Sequence, residues 1–347
     1  MNVGIVGIGF MGMIHYLAYK KVRGAKVTAI ATRDAKKLAG DWRGIKGNFG
    51  PPGEQMDLGT IGRYADWREM LKDPKVDLVD ICLPPSLHEE VAVAALKAGK
   101  HVLVEKPIAL ETAEGVRMVK AAEKAGKLLM IGQVLPFFPE YAFALDAIRG
   151  GKFGKLLGGH FKRVIADPKW IKDFYDPRGA GGPVVDLHIH DAHFIRLACG
   201  MPKAVFSSGR MKDGGVRFVN TQFLFDDPTI AVTASGGVID QQGRSFTHGF
   251  EIYLEKATLV FDFAVIDGKP TPSTPLTVLT HDGKVKQPKL GEVDGFAAEL
   301  TEAAKAVKTG KPSSLLAGDL ALDALKLCHA EIKSTESGRM ITLGTGR

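Results

Sequence analysis

Three groups of residues in this chain have the types and spacing to do chemistry. The first is Lys106. It ends the run Val102–Pro107 (VLVEKP), in which an apolar strand meets two charges and stops at a proline. Pro107 has no N–H to give a sheet and holds Lys106 extended. The ammonium is therefore expected at the carboxyl end of a buried strand, where open α/β sheets take their ligands, and there it can stabilise negative charge developing on an oxygen. The second group is Asp186 and His190, four residues apart in GGPVVDLHIHDAHFIRLACG. On a wheel of about 100° per residue they share a face with His193 and Leu197, while His188 and Asp191 point elsewhere. An acid one turn from an imidazole orients it and favours its protonated form, which suits a proton carrier. The same three histidines and two aspartates also admit a metal reading. The third group is Gly7-Ile8-Gly9-Phe10-Met11-Gly12, a GxGxxG turn between the apolar run Val3–Val6 and a helix-patterned segment from Met11 to about Val22. Gly7 makes the tight turn, Gly9 lets the backbone approach a pyrophosphate, and Gly12 permits close helix–strand packing. The helix that follows offers its unpaired N–H groups to phosphates.

The elements that must position these groups alternate strand and helix through residue 133. Lys26–Ala31 reads as a second strand ending in Thr32-Arg33-Asp34. Folds that prefer NAD usually place an acid there, about 20 residues past the glycines. Thr32 and Arg33 instead present a hydroxyl and a guanidinium able to hold a 2′-phosphate, which leans the cofactor towards NADP, with Asp34 as the N-cap of the next helix. Residues 40–63 hold seven glycines and Pro51-Pro52; a loop of that length is functional or mobile, covering the adenosine end or meeting another subunit. Val76–Leu83 is a buried strand closed by Pro84-Pro85. Ser86 and Glu89 have capping-box spacing, Glu90–Ala98 is helical in pattern, and His101–Glu105 and Leu128–Val134 are further strands. The expected fold is an α/β Rossmann dinucleotide-binding domain over residues 1–133, with a mostly parallel, doubly wound sheet. Residues 134–347 form a second, α+β domain. Its apolar or alternating runs Leu156–Ala166, Ala204–Met211, Val216–Phe225, Ile230–Val238 and Phe250–Phe263 predict a large, mostly antiparallel open sheet with one face buried. Helices are expected over Pro139–Gly150, from Gly181-Gly182-Pro183 to about Ala198, and over about Phe296–Lys308 and Gly318–Ser334.

The totals exclude several classes. A chain of 347 residues suits two domains. No run approaches the ~18 apolar residues of a membrane span, and Met1-Asn2 leads into the first strand without a basic leader. Cys82, Cys199 and Cys328 lie far apart without CxxC spacing, against a disulfide framework or a thiolate metal cluster and in favour of a reduced, cytoplasmic protein. The net charge of +7 comes from scattered lysines rather than a basic block with aromatics, so nucleic acid is not the expected partner. A mild positive field suits an anionic cofactor.

Taken together, GIVGIGFMG, CLPPSLHEEVAVAALKAGKHVLVEKPIAL, GGPVVDLHIHDAHFIRLACG, FAAELTEAAKAVKTGKP and STESGR resemble the glucose–fructose oxidoreductase / inositol dehydrogenase / rhizopine catabolism (Gfo/Idh/MocA) family over nearly the whole chain. The resemblance implies an NAD(P)-dependent oxidoreductase acting on a sugar, polyol or related cyclic hydroxyl compound. It assigns catalysis to Lys106, Asp186 and His190, and cofactor contacts to Gly7, Gly9, Phe10, Met11, Thr32 and Arg33. Glu105 lies beside the nicotinamide pocket, and Leu83, Pro84, His88, Lys106 and Gln133 line the same cleft. Substrate contacts fall to Lys106, His190 and His193. The acid–base reading of Asp186 and His190 matches the family better than a metal site. His193 stands where the family often has aspartate, Pro183 replaces a glycine, and Leu135-Pro136 stands where an arginine is frequent, so sugar specificity does not carry over. Two other activities fit the same residues: a redox-neutral enzyme that oxidises transiently and keeps its cofactor, for whose proton transfers His188 and His193 are available, and a non-catalytic cofactor-sensing protein. A sheet face that packs on a copy of itself suits a homo-oligomer, dimer or tetramer.

Overall fold

The computed structural model describes residues 1–47, 49–169, 174–176 and 178–344. In chain order the first elements are β1 (Asn2–Val6), α1 (Phe10–Tyr19), β2 (Lys26–Ala31), α2 (Ala35–Leu38), β3 (Gly62–Tyr64), α3 (Trp67–Leu71), β4 (Leu78–Ile81), α4 (His88–Lys97), β5 (His101–Glu105), α5 (Thr112–Ala125) and β6 (Leu129–Gly132). Next come α6 (Pro139–Arg149), β7 (Leu156–Ala166), a π-helical turn over Val184–His188 and α7 (Ile189–Cys199). Then follow β8 (Ala204–Lys212), β9 (Gly215–Leu224), β10 (Ala231–Ile239), β11 (Arg244–Leu254), β12 (Ala257–Ile266), β13 (Lys269–Thr280) and β14 (Val285–Lys286). The chain closes with α8 (Gly295–Thr309), α9 (Gly318–Ser337) and β15 (Ile341–Thr342).

The chain divides into two compact units, residues 1–137 with 293–322, and 138–292 with 323–347. In the first, six parallel strands take the order β3-β2-β1-β4-β5-β6, the Rossmann arrangement in which the strand order reverses beside β1. Its central strands are apolar on both sides because helices cover both faces; Val3, Ile5, Leu78, Ile81, Val102 and Val104 are fully buried. The segment 293–322 belongs to this unit, although the sequence reading carries the second domain from 134 to 347. Leu300 and Ala303 of α8 enter the core formed by α1 and β1, a pairing that no local pattern announces.

In the second unit nine strands take the order β14-β13-β12-β11-β7-β10-β9-β8-β15. Every neighbouring pair is antiparallel except β7 with β10. The expected architecture of both halves is thus present. Three details differ from the expectations. The run Phe250–Phe263 is two strands, β11 and β12, turning at Glu255-Lys256. β13 carries Pro270, Pro272 and Pro275 yet pairs along β12; its other side meets only the two-residue β14, so prolines there remove few ladder bonds. Ser86 and Glu89 do not form a capping box: Pro84 and Pro85 start a short 3₁₀ turn, α4 begins at His88 without a side-chain cap, and Glu89 pairs instead with Arg117 at 2.7 Å. The capping box of this region is Glu111 with Glu114, at the head of α5.

Candidate active site

The glycine turn after β1 is built for close approach. Gly7 has φ +94°, and a Cβ there would lie 2.6 Å from the Cys82 carbonyl oxygen. A Cβ at Gly12 would lie 2.0 Å from the Gly7 carbonyl oxygen, whereas at Gly9 it would meet nothing within 4 Å. The chain is therefore tight where helix packs on strand and open where a ligand must come close. Gly9 caps α1 with its backbone only, which leaves the first N–H groups of that helix facing open space.

Above this turn lies a cleft of about 630 Å³, lined by Gly7, Gly9, Thr32, Arg33, Leu83 and Pro84, among others. Its lining also carries Lys37, Asp66, Arg68 and Glu90; Arg68 stacks 4.2 Å over the Trp67 ring and pairs with Glu90 at 2.6 Å. Asp34 caps α2 by accepting from the Lys36 N–H at 2.9 Å, as expected, while its neighbour Arg33 remains at the rim. An open approach at Gly9 and a helix N-terminus, with Arg33 and Lys37 in the lining, fit a dinucleotide with its phosphates. Phe10 lies at the start of α1, 4.7 Å edge-on to Phe49, with Met11 beside it and half-buried. The glycine-rich loop that contributes Phe49 is folded: Trp42 is fully buried, donates Nε1–H to the Lys37 carbonyl at 2.9 Å and packs 4.9 Å from Tyr16. A Cβ at Gly53 would sit 1.9 Å from the Trp42 carbonyl oxygen, so at least that glycine serves packing.

Lys106 follows directly on β5 and is half-buried. The Glu105 carboxylate accepts the Lys106 N–H at 3.1 Å through one oxygen, and its other oxygen lies 2.8 Å from His15 Nε2. His88 does not line the cleft described above. It is fully buried, and its ring nitrogens lie 2.8 Å from the Pro107 carbonyl and 2.9 Å from the Leu83 carbonyl. Burial lowers its pKa despite those carbonyls; the neutral ring donates to one of them and packs between the two loops that frame β4 and β5. Gln133 follows β6 and is also fully buried.

In the second unit the residues from the glycine–proline pair sort by exposure rather than by an ideal wheel. Asp186 and His190 are half-buried, whereas His188, Asp191 and His193 are fully buried. Asp186 lies within the π-helical turn over Val184–His188, whereas His190, Asp191 and His193 lie in α7. His188 Nε2 lies 3.0 Å from Glu331; burial opposes its charge, but Glu331 raises its pKa above the ordinary imidazole value. Asp191 accepts from Arg163 Nε at 2.6 Å. His193, expected at the substrate, is fully buried.

Comparison with known proteins agrees with this geometry. Residues 1–133 match the oxidoreductase family with NAD-binding Rossmann fold, and residues 141–260 match the GFO/IDH/MocA C-terminal domain. The chain belongs to the Gfo/Idh/MocA family. It is accordingly an NAD(P)-dependent oxidoreductase. Among its Gfo/Idh/MocA relatives, a myo-inositol 2-dehydrogenase of Thermotoga maritima is 27% identical over 99% of this chain and 98% of its own. A levoglucosan dehydrogenase of Pseudarthrobacter phenanthrenivorans is 28% identical over 76% of this chain and 74% of its own. The same fold appears in the solved structure of an Agrobacterium radiobacter oxidoreductase in complex with NAD+, L-tartaric acid and magnesium, with TM-score 0.80 at 19% identity, covering 99% of this chain and 98% of that one.

Proposed function

We propose that this protein oxidises or reduces a CH–OH carbon of a sugar, polyol or related cyclic hydroxyl compound, with Lys106, Asp186 and His190 as its catalytic residues. The observation that carries the reading is Lys106 at the carboxyl end of β5, in the same unit as the glycine-turn cleft. The cofactor, when bound, supplies the hydride acceptor in oxidation and the hydride donor in reduction. Lys106 hydrogen-bonds the substrate oxygen and stabilises its developing negative charge as the carbon loses hydride. His190 takes the hydroxyl proton, and returns it in the reverse direction. Asp186, one turn before it, orients the imidazole. The names of the relatives, dehydrogenases of myo-inositol and levoglucosan, support net redox chemistry on a ring hydroxyl.

Gly7, Gly9, Phe10, Met11, Thr32, Arg33, Leu83 and Pro84 would hold the dinucleotide, with Glu105 and Lys106 at its nicotinamide end. Arg33, with Lys37 in the same lining, favours NADP through its 2′-phosphate. Three features support a cytoplasmic homo-oligomer. Cys82, Cys199 and Cys328 are all free, no helix among the described residues is long and apolar enough to cross a membrane, and Phe206, Tyr253 and Leu279 lie exposed on one face of the nine-stranded sheet by strand register.

The test is turnover of myo-inositol, levoglucosan and 1,5-anhydro-D-fructose with NAD(H) and NADP(H), read by absorbance of the reduced nicotinamide. On whichever compound turns over, Lys106→Ala and His190→Ala are each expected to lower kcat by about 10²–10⁴. Wild-type turnover by either variant overturns the assignment.

A further inference from the structure

Behind the end of β5 the first unit buries a cluster of charges that the chemistry above does not use. His15 lies on the covered face of α1, three residues past Gly12, and is fully buried. Its Nδ1–H donates to Asp80 Oδ2 at 2.8 Å, and its Nε2 lies 2.8 Å from Glu105 Oε1. Strand pairing explains the meeting. Asp80 of β4 stands beside Leu103 of β5, so Asp80, Leu103 and Glu105 share the sheet face that α1 covers. Asp80 is fully buried and Glu105 is 7% exposed. The other Glu105 oxygen accepts the Lys106 N–H at 3.1 Å.

We propose that Asp80, His15 and Glu105 form a buried ion chain that fixes the backbone at Lys106, with His15 as a positioning residue for that lysine. The inference rests on Lys106 as the group that meets substrate. A neutral imidazole has one N–H, which Asp80 takes; Nε2 makes no directed hydrogen bond, and its 2.8 Å approach to the Glu105 carboxylate is a charge contact that favours the imidazolium. Burial disfavours that charge, but Asp80 and Cys82 raise the His15 pKa well above the ordinary value. Other titratable groups face the chain from every side. Cys82 Sγ on β4 lies 3.6 Å from both Nδ1 and Asp80 Oδ1. Tyr19 of α1 and Glu299 of α8 are buried beside it, and burial with the charges of Glu105 and Asp80 holds Glu299 well above the usual carboxylate range. The cluster thus sets one imidazole between two carboxylates. Removing the imidazolium leaves two buried carboxylates without a counter-charge, and Glu105 loses the partner that holds it under the Lys106 amide. His15, Asp80 and Cys82 are also metal-type donors. The 2.8 Å between Nδ1 and Oδ2 is a hydrogen-bond length, whereas donors that each stand about 2.0–2.3 Å from one zinc ion lie further apart.

The test needs no substrate, so its failure is separable from failure of the redox assignment. The whole protein and its His15→Gln, Glu105→Gln and double variants are labelled with trace trinitrobenzenesulfonate, and Lys106 modification is measured against the other lysines by peptide mass spectrometry. Each single variant is expected to change the relative reactivity of Lys106 about tenfold, and the double variant no more than either single one, because the two residues act through one chain. Lower melting temperatures with unchanged Lys106 reactivity, or additive effects, overturn the proposal. Should His15→Gln fail to fold, ¹⁵N NMR of the wild-type imidazole decides: two protonated ring nitrogens at neutral pH support the chain, and a neutral tautomer, or stoichiometric zinc in the purified protein, refutes it.

Discussion

Removing the Asp191 carboxylate tests how α7, which carries His190, is fastened to the sheet beneath it. Asp191 is fully buried and Arg163 of β7 is 5% exposed. They meet at 2.6 Å through Nε and 3.4 Å through Nη2. Around the guanidinium stand Tyr141 and His248, joined at 3.0 Å; burial and the nearby Arg163 and Lys162 push the His248 pKa well below its usual value, so it adds no second cation, and Asp191 is the ion partner of Arg163. Asp191→Ala strands a buried cation, a loss of about 3–5 kcal/mol; Asp191→Asn keeps one acceptor and falls at the lower end. For a unit of about 180 residues that is a fall in melting temperature on the order of 10 °C. Urea unfolding followed by tryptophan fluorescence and by circular dichroism checks it, with the midpoint shifting at constant slope. The double variant Arg163→Met/Asp191→Leu replaces the pair by apolar volume and is expected to recover most of the loss. An Asp191→Asn protein within about 1 kcal/mol of wild type, or a double variant worse than Asp191→Ala, refutes the claim that the single changes act by stranding a charge.

Three further outcomes follow from the same kind of reasoning. Gly12→Ala puts a methyl group 2.0 Å from the Gly7 carbonyl oxygen, and the forced shift of the turn should cost about 1–3 kcal/mol of stability together with a loss of dinucleotide affinity, read by thermal melts with and without NADP+. Arg33→Ala should lower kcat/KM for NADP+ by about tenfold or more while leaving NAD+ within a factor of a few, since a charge-assisted contact to a phosphate is the only interaction removed; equal losses with both cofactors contradict the 2′-phosphate assignment. His248 is held neutral in the fold but protonates when unfolded, near pH 6.5. Its pKa is depressed on folding, so it leaves stability unchanged above that range and removes stability as pH falls below it. Wild type should therefore lose up to about 1.4 kcal/mol per pH unit more than His248→Gln between pH 6.5 and the folded value, measured by urea midpoints.

The parts legible in the sequence are those governed by local pattern. The glycine turn, the strand ending in Glu105-Lys106-Pro107, and the alternating runs of the second half announce themselves because turns, strand ends and period-two burial each leave a signature within a few residues. Asp34 as a helix cap falls in the same class. The features that escape are long-range. Asp80 interrupts an otherwise apolar buried strand and His15 interrupts an apolar helix face, 65 residues apart. Each alone reads as an oddity, and only the sheet register makes them partners. A second miss is α5, whose amphipathic pattern and Glu111–Glu114 box were available signals between β5 and β6. The ideal wheel also groups His193 with His190, yet His193 is fully buried and His190 only half-buried, because a wheel gives direction along one helix and not what packs against it.

Each unit places a buried charge pair next to a side chain proposed as catalytic: the Asp80–His15–Glu105 chain adjoins Lys106, and Arg163–Asp191 adjoins His190 in sequence. Buried ions are a poor way to gain stability, because desolvation offsets most of the attraction and apolar residues of like volume do as well. They do supply direction: an ion pair has one good geometry, whereas apolar contacts tolerate sliding. If direction is what these pairs provide, stability and turnover must separate when a pair is replaced by apolar volume. Arg163→Met/Asp191→Leu is then expected to melt close to wild type and still turn over more slowly, with the deficit in kcat rather than in cofactor affinity. A double variant that keeps both its melting temperature and its kcat would show that packing alone orients α7, and the ion pair would be a replaceable part of the core.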